Sequence, residues 1–146
     1  MQAEVVSVGH SLTPRAPQGW WLEVVWRFRN AAEVPLYVLT AGPRSIIDAK
    51  PIVLNHAIEG DSMGVDPYTD LEMDFTAIAA NAFADLPHKY PLPAMDLLKH
   101  RDVVGRFSVG YERPEPEWRQ RRMWGAVKQW QRILQSSSFE IQAPAE

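Results

Sequence analysis

Between residues 20 and 30 the chain reads Trp20-Trp21-Leu22-Glu23-Val24-Val25-Trp26-Arg27-Phe28-Arg29-Asn30. Trp20, Leu22, Val24, Trp26 and Phe28 share one side of an extended chain, and Trp21, Glu23, Val25, Arg27 and Arg29 share the other. Successive side chains of a strand point to opposite faces, so this period of two is the pattern of a half-buried β-strand. Every member of the first set is large and apolar, which assigns that side to a core. Alternation also sends one of the tandem pair Trp20 and Trp21 away from it.

Outward from this strand, Asn30-Ala31-Ala32-Glu33 is a polar break, and Pro35 precedes the β-rich run Leu36-Tyr37-Val38-Leu39-Thr40. Two such runs across a short turn predict a hairpin. Upstream, Glu4 to Val8 reads as a first strand, separated from the next by Pro14 and Pro17. Downstream, Pro51 to His56 is a short strand. In Asp102 to Glu112, residues Val103, Gly105, Phe107, Val109 and Tyr111 alternate with Asp102, Val104, Arg106, Ser108, Gly110 and Glu112. Ile133-Leu134 and Phe139-Glu140-Ile141 suggest a final strand, bulged at Ser136 to Ser138. Strands at this spacing, joined by proline-rich breaks, predict an all-β sandwich.

Two segments fit less simply. Thr69-Asp70-Leu71-Glu72 has the form of a helix capping box, and apolar residues follow at helical spacing until Pro87. The same stretch also alternates over Met73 to Ile78, and Asn81 can turn the chain between two strands. Strands are the preferred reading of 69–86. The other segment, Glu115 to Gln129, opens with acids in a first turn and contains Gly125, so a long loop with one or two helical turns is expected before the last strand.

The 146 residues carry a formal net charge of −3, with 46% hydrophobic residues and no cysteine. This length and composition suit one globular domain, 1–146, and exclude a low-complexity chain. The absence of cysteine removes disulfides, thiolate zinc sites and cysteine nucleophiles. No apolar run reaches the roughly 18 residues that a membrane helix needs, and no basic-then-apolar leader opens the chain. A cytoplasmic protein is expected, without membrane insertion.

Together, the alternating tryptophan strand, the asparagine turn, the Pro35-to-Leu39 run and the late Arg106-Phe107-Ser108-Val109-Gly110-Tyr111 strand resemble an immunoglobulin-like antiparallel β-sandwich. The resemblance spans most of the chain at the level of a superfamily. It departs from antibody domains in lacking a cysteine pair, and Tyr111 does not match their tyrosine corner. Such a sandwich hosts many functions and implies none of them.

Few motifs point to chemistry. Gly60-Asp61-Ser62-Met63-Gly64 satisfies G-x-S-x-G, the nucleophile elbow of hydrolases, but Pro67 stands where the following helix should begin. A glycine-rich loop is the better reading. Glu59 to Asp74 holds six acids and no basic residue, yet its spacing matches no EF-hand loop, so a solvated acidic loop is expected. His10, His56, His88 and His100 form no ligand pair at metal-binding spacing and read as isolated surface or loop histidines. Neither a cofactor nor a metal is implied.

The most suggestive stretch is Trp118 to Arg132, with five basic residues and no acid. Trp118, Trp124 and Trp130 recur every six residues within it. Trp and Arg are the side chains most enriched at interface hot spots, and the candidate partner-binding residues are Trp118, Arg119, Arg121, Arg122 and Trp124. In the competing reading, Trp118 and Trp124 cover an edge of the sandwich with arginine stems packed over them. Single-stranded nucleic acid is disfavoured by the overall negative charge. The acidic run and this basic run either face each other within the fold or meet across two copies. The expected function is therefore a non-enzymatic protein–protein interaction module, either an accessory or structural subunit or an inhibitor or immunity-type protein. The alternative is a small-ligand or carbohydrate-binding sandwich that uses exposed rings at Trp20 and Trp21.

Overall fold

The computed structural model describes residues 2–39, 44–47, 50–58, 74–94, 98, 100–121 and 123–142, with the side chains of 44, 46, 119 and 124 outside that description. In chain order the elements are β1 (Ala3–Pro14), β2 (Trp20–Asn30), β3 (Leu36–Leu39), β4 (Arg44–Ile46), β5 (Ile52–Asn55), β6 (Phe75–Ile78), β7 (Phe83–Leu92), β8 (Asp102–Gly110), α1 (Pro116–Gln120), α2 (Trp124–Trp130), β9 (Arg132–Gln135) and β10 (Phe139–Glu140). They form an all-β sandwich. One sheet has the order β1-β2-β7, and the other is built around β8, which bonds to β3, β5, β9 and β10.

β2 is the strand that its alternation requires. Leu22, Val24, Trp26 and Phe28 are fully buried, while Trp21, Val25, Arg27 and Arg29 lie toward the outer face. β1 runs antiparallel beside it, with a bulge between Ser7 and Gly9 that leaves Val8 unpaired. The extra residue shifts the alternation, so Val5 faces the core before the bulge, and His10 and Leu12 face it afterwards. On the other side of β2, β7 carries Ala84, Leu86, His88, Tyr90 and Leu92 inward. The 69–86 segment, as far as it is described, forms β6, a turn at Asn81 with φ of +55°, and the start of β7. Residues 69–73 lie outside the described residues. Pro87 sits inside β7 because β7 ends its sheet, and a proline is tolerated where no ladder partner needs its N–H.

In the second sheet, β8 is paired on both sides. Val103 lies between Ile52 and Phe139, Arg106 between Asn55 and Gln135, and Val109 between Val38 and Arg132. The β5–β8 pair is parallel, a departure from the antiparallel expectation. The predicted bulge at 136–138 separates two short strands, β9 and β10, that lie along the same partner. Ser136 fills the interruption: its N–H donates to the Gly105 carbonyl at 2.9 Å and its hydroxyl accepts from the Gly105 N–H at 2.8 Å.

The predicted β2–β3 hairpin does not form. β2 belongs to the first sheet and β3 to the second, so the polar break at 30–33 carries the chain across the sandwich. The β6–β7 turn makes the reverse crossing, and the two corners are bonded together through Asn30. The Asn30 side-chain amide donates to the carbonyls of Val34, Ile78 and Ala79 at 2.8, 3.2 and 3.2 Å, and its oxygen accepts from the Ala32 N–H at 3.1 Å. Backbone bonds from Asn30 to Ala82 and from Asn81 to Ala32 complete the junction. A hairpin would need β2 and β3 in one plane, whereas a buried amide that satisfies three carbonyls allows both corners to close without stranded polar groups.

Between the sheets, Trp26 meets Phe107 and Phe139 edge-on with ring centroids 5.2 and 6.0 Å apart, and Phe28 meets Phe107 at 4.8 Å. Gly105 is required here, since a Cβ on it would stand 2.6 Å from the Trp26 ring. Outside the second sheet lies a further apolar cluster of Leu39, Ile58 and Val127, with Phe75, Trp118 and Trp130 packed on it. This cluster seats α1 and α2 as a third layer.

Replacing Asn30 with alanine should cost about 2–4 kcal/mol, because it strands several carbonyls at a buried junction. Urea unfolding measures this, and a loss below about 0.5 kcal/mol would show that the corners do not depend on the amide.

Candidate functional site

The Trp/Arg stretch forms a hairpin of two short helices. A helix of five or seven residues does not hold itself in water, so its position comes from packing. Trp118 is half-buried and meets Trp130 with ring centroids 6.3 Å apart, and Trp130 meets Phe75 edge-on at 5.4 Å. The Trp130 indole N–H donates to the Glu112 carbonyl at 2.7 Å. The ring also lies against Gly110, where a Cβ would stand 2.5 Å from it. The Gln131 side chain grips Ile58 at both backbone groups, accepting from its N–H at 3.0 Å and donating to its carbonyl at 2.7 Å. Trp118 and Trp130 thus serve as anchors between the hairpin and the second sheet.

Among the sequence candidates, Arg121 is exposed at the end of α1. Arg119 and Trp124 lie in α1 and α2, but their side chains fall outside the described residues, as does Arg122 entirely. Arg113, Arg121 and Arg132 are exposed and make no ion pair among the described residues. At the start of α1, a hydrogen bond from the neighbouring Glu117 raises the Glu115 carboxyl above its usual range. The acidic run and the G-x-S-x-G segment fall outside the described residues except for Asp74. Their flanks do not: Ile58 and Phe75 both pack at the base of the hairpin.

The outer face of the first sheet is the other exposed surface. It carries Trp21, 37% exposed, and Phe83, 57% exposed, at opposite ends. Each ring already has a guanidinium against it, Arg15 at 5.6 Å from the Trp21 centroid and Arg27 at 4.8 Å from that of Phe83. Arg27 is held in place by a bidentate pair with Asp85, at 2.8 and 3.0 Å, whose hydrogen bond lowers the Asp85 pKa. Trp20 turns the other way and packs against the core. Both edges of this sheet resist strand addition. Pro87 and Pro91 remove N–H donors from β7, with Lys89 between them, and the Val8 bulge distorts β1.

The histidines differ from the surface reading. His56 is buried, and His10 and His88 flank Val24 on the inner face of the first sheet; His100 alone is exposed, 3.0 Å from Glu140. The His56 ring stacks on Phe107 at 4.9 Å and lies 4.6 Å from His88. Tyr90 Oη stands 2.9 Å from Trp26 Nε1 and 2.6 Å from His56 Nε2. An indole N–H can only donate, so the hydroxyl accepts from Trp26, and with the His56 hydrogen on Nδ1 it donates in turn to His56 Nε2. Burial raises the Tyr90 pKa above its usual range, keeping the phenol protonated for this role. Burial also lowers the pKa of His10 and of His88. Lone histidines carry no local sign of this environment. The signal available was the inward alternation of His88 and Tyr90 about Lys89, legible only once 83–92 is known to be a strand.

Among the described residues no group of three or more His, Asp or Glu side chains is placed to hold a metal ion, and no helix is long and apolar enough to cross a membrane. No family model, curated protein or solved structure matches the chain.

Two outcomes test the interior. Tyr90→Phe should cost about 2–4 kcal/mol in urea unfolding, since it leaves the Trp26 N–H and His56 Nε2 without their partner; an unchanged midpoint would remove the chain from the stabilising interactions. An unfolded histidine takes up a proton near pH 6.5, whereas folded His10 and His88 do so only at lower pH. Below about pH 6.5 the unfolded chain therefore binds more protons, and stability should fall as pH drops from there toward 5. The double variant His10→Leu, His88→Leu should flatten most of that fall, and an unchanged slope would exclude both residues as its source.

Proposed function

We propose that this chain is a non-enzymatic, cytoplasmic interaction module that binds another protein through the α1–α2 hairpin. It would serve as an accessory or structural subunit, or as an inhibitor or immunity-type protein covering another protein's site. The observation that carries this reading is how the hairpin is held. Trp118 and Trp130 turn inward against Leu39, Ile58, Phe75 and Val127, so two helices too short to stand alone are fixed on the sandwich. Arg121 is left facing solvent with no ion pair among the described residues. A guanidinium carried on a backbone that is already ordered spares the cost of ordering that backbone on binding, which favours an interface centred there. Arg119, Arg121 and Arg122 are the residues assigned to the contact, with Trp118 as their buttress and Trp124 completing the set.

Two further observations support a protein partner. The interior Tyr90 and His56 are committed to a hydrogen-bonded chain with Trp26. The carbohydrate reading has less support, because Trp20 packs against the core and the Trp21 ring already has the Arg15 guanidinium 5.6 Å from its centroid.

A pull-down from the native host tests the proposal. Wild-type protein should retain a specific partner, and the triple variant Arg119→Gln, Arg121→Gln, Arg122→Gln should lose it with an unchanged melting temperature, while Trp21→Ala keeps it. A partner held equally by the triple variant, or lost only with Trp21→Ala, would overturn the assignment.

A further inference from the structure

The strand register arranges the outer face of the first sheet in rows. The middle row holds Val25, with Gly9 on one side and Pro87 on the other, and carries no charge. One step toward one end, Glu23 lies beside Lys89 at 3.9 Å. One step toward the other end, Arg27 lies beside Asp85 at 2.8 Å. The two charged rows are equally far from Val25 and carry their signs in opposite order: acid on β2 and base on β7 in the first, base on β2 and acid on β7 in the second. Pairing within one copy accounts for the neutrality of each row, but not for the reversal between them.

This order is complementary to itself. When a second copy is laid face to face, with its strands reversed and the two Val25 rows in contact, Glu23 of each copy stands over Arg27 of the other, and Lys89 over Asp85. Every charge then has an opposite charge beside it in its own sheet and another above it. With the strands of the two copies running the same way, Glu23 would stand over Glu23 and Arg27 over Arg27. With a slip of one row, Arg27 would stand over Val25. Contacts in which residue i meets j and j meets i are those of a two-fold dimer. Arg27 bonds to Asp85 through Nε and Nη2, which leaves the Nη1 hydrogens for Glu23 of the other copy.

The rest of the fold leaves this face open. The outer side of the second sheet is covered by the α1–α2 hairpin, and the proline-guarded and bulged edges of the first sheet refuse an added strand, so a second copy must approach face on. Trp21 and Phe83, in the end rows, are among the exposed large apolar side chains. Stacked sheets cross at about 30°, so the middle rows keep their opposition while the end rows diverge. β2 has 11 residues, and three strands of that length make a face about 36 Å long and roughly 14 Å wide. Covering it on two copies removes roughly 1,000 Å² from water, at the low end for a specific interface. We propose that this face is the interface of a weak, reversible two-fold dimer of the chain, centred on Val25, with Glu23, Arg27, Asp85 and Lys89 fixing its orientation. The proposal is independent of the hairpin reading, which concerns the opposite side of the sandwich.

Sedimentation equilibrium of the whole chain at low salt tests it. Wild-type protein should pass from monomer to dimer with a midpoint of about 10–100 μM. Glu23→Arg sets like charges over each other twice, as does Arg27→Glu, and each variant alone should dimerise about tenfold or more weakly. Mixed one to one, the two variants restore opposite charges at both positions, and the mixture should dimerise at least as well as wild type. Both changes lie on the outer face, and unchanged circular dichroism and melting temperature check that each variant folds. The pair Glu33→Arg and Lys50→Glu makes changes of the same sign elsewhere, and mixing these should give no gain over wild type. A wild-type chain that stays monomeric at about 0.5 mM would overturn the proposal and leave the face to another occupant. Single variants that dimerise like wild type, a mixture no better than its components, or an equal gain in the control mixture would each overturn it too.

Discussion

The hydrogen bond between Tyr90 and His56 crosses the sandwich, and the arrangement of the two sheets turns on it. Tyr90 stands on β7 and His56 directly follows β5, so this 2.6 Å contact joins one sheet to the other inside the core. Apolar packing holds sheets together without direction; a buried donor and acceptor specify where one sheet lies on the other. The bond is itself constrained from two sides. Trp26 donates into the same hydroxyl, and Phe107 stacks beneath the imidazole. Trp26 in turn presses so close to Gly105 that no side chain fits between them. Three strands and the segment after β5 are thereby locked by one set of contacts around one indole.

The same solution recurs wherever the chain must leave a sheet. At the paired corners, Asn30 takes three carbonyls that would otherwise be buried unbonded. At the interruption between β9 and β10, Ser136 replaces the missing ladder bonds to Gly105. At the hairpin, Gln131 and Trp130 bond to backbone groups of Ile58 and Glu112. In each place a polar side chain completes backbone bonding where strand pairing stops, which is the condition for burying irregular chain at all. The described part of the hairpin is consequently held on the second sheet, with Arg121 exposed at the end of α1.

Much of the architecture is legible in local alternation. β2 and β8 are long enough for period two to be unmistakable, and the inward sets Leu22-Val24-Trp26-Phe28 and Val103-Phe107-Val109 are the core. The candidate site was legible in part, since an acid-free run with three tryptophans marks a distinctive surface, but the direction of each ring was not. Trp118 and Trp130 turned out to be anchors because Gly110, Phe75 and Leu39 leave an apolar face on the outside of the second sheet, and those residues lie far away in the chain. The outward side of β8 follows the same logic. Val104 and Ser108 alternate with the core set, yet they are 5% and 0% exposed, because that face is covered as well.

By itself, the amino-acid sequence determined the long strands β2 and β8 and the face each turns inward, because these depend on side-chain alternation within a few residues; it showed neither β4 nor the continuation of β7 through Pro87 to Leu92. Only the tertiary structure decided that β2 and β3 belong to different sheets, that β5 runs parallel to β8, and that three of the four histidines face inward. Each of these depends on a pairing between distant residues: Asn30 with Ile78, Ile52 with Val103, His56 with Tyr90. A turn sequence such as Asn30 to Glu33 serves a hairpin or a crossing equally well, and the choice between them is made by what the two strands find to bury against.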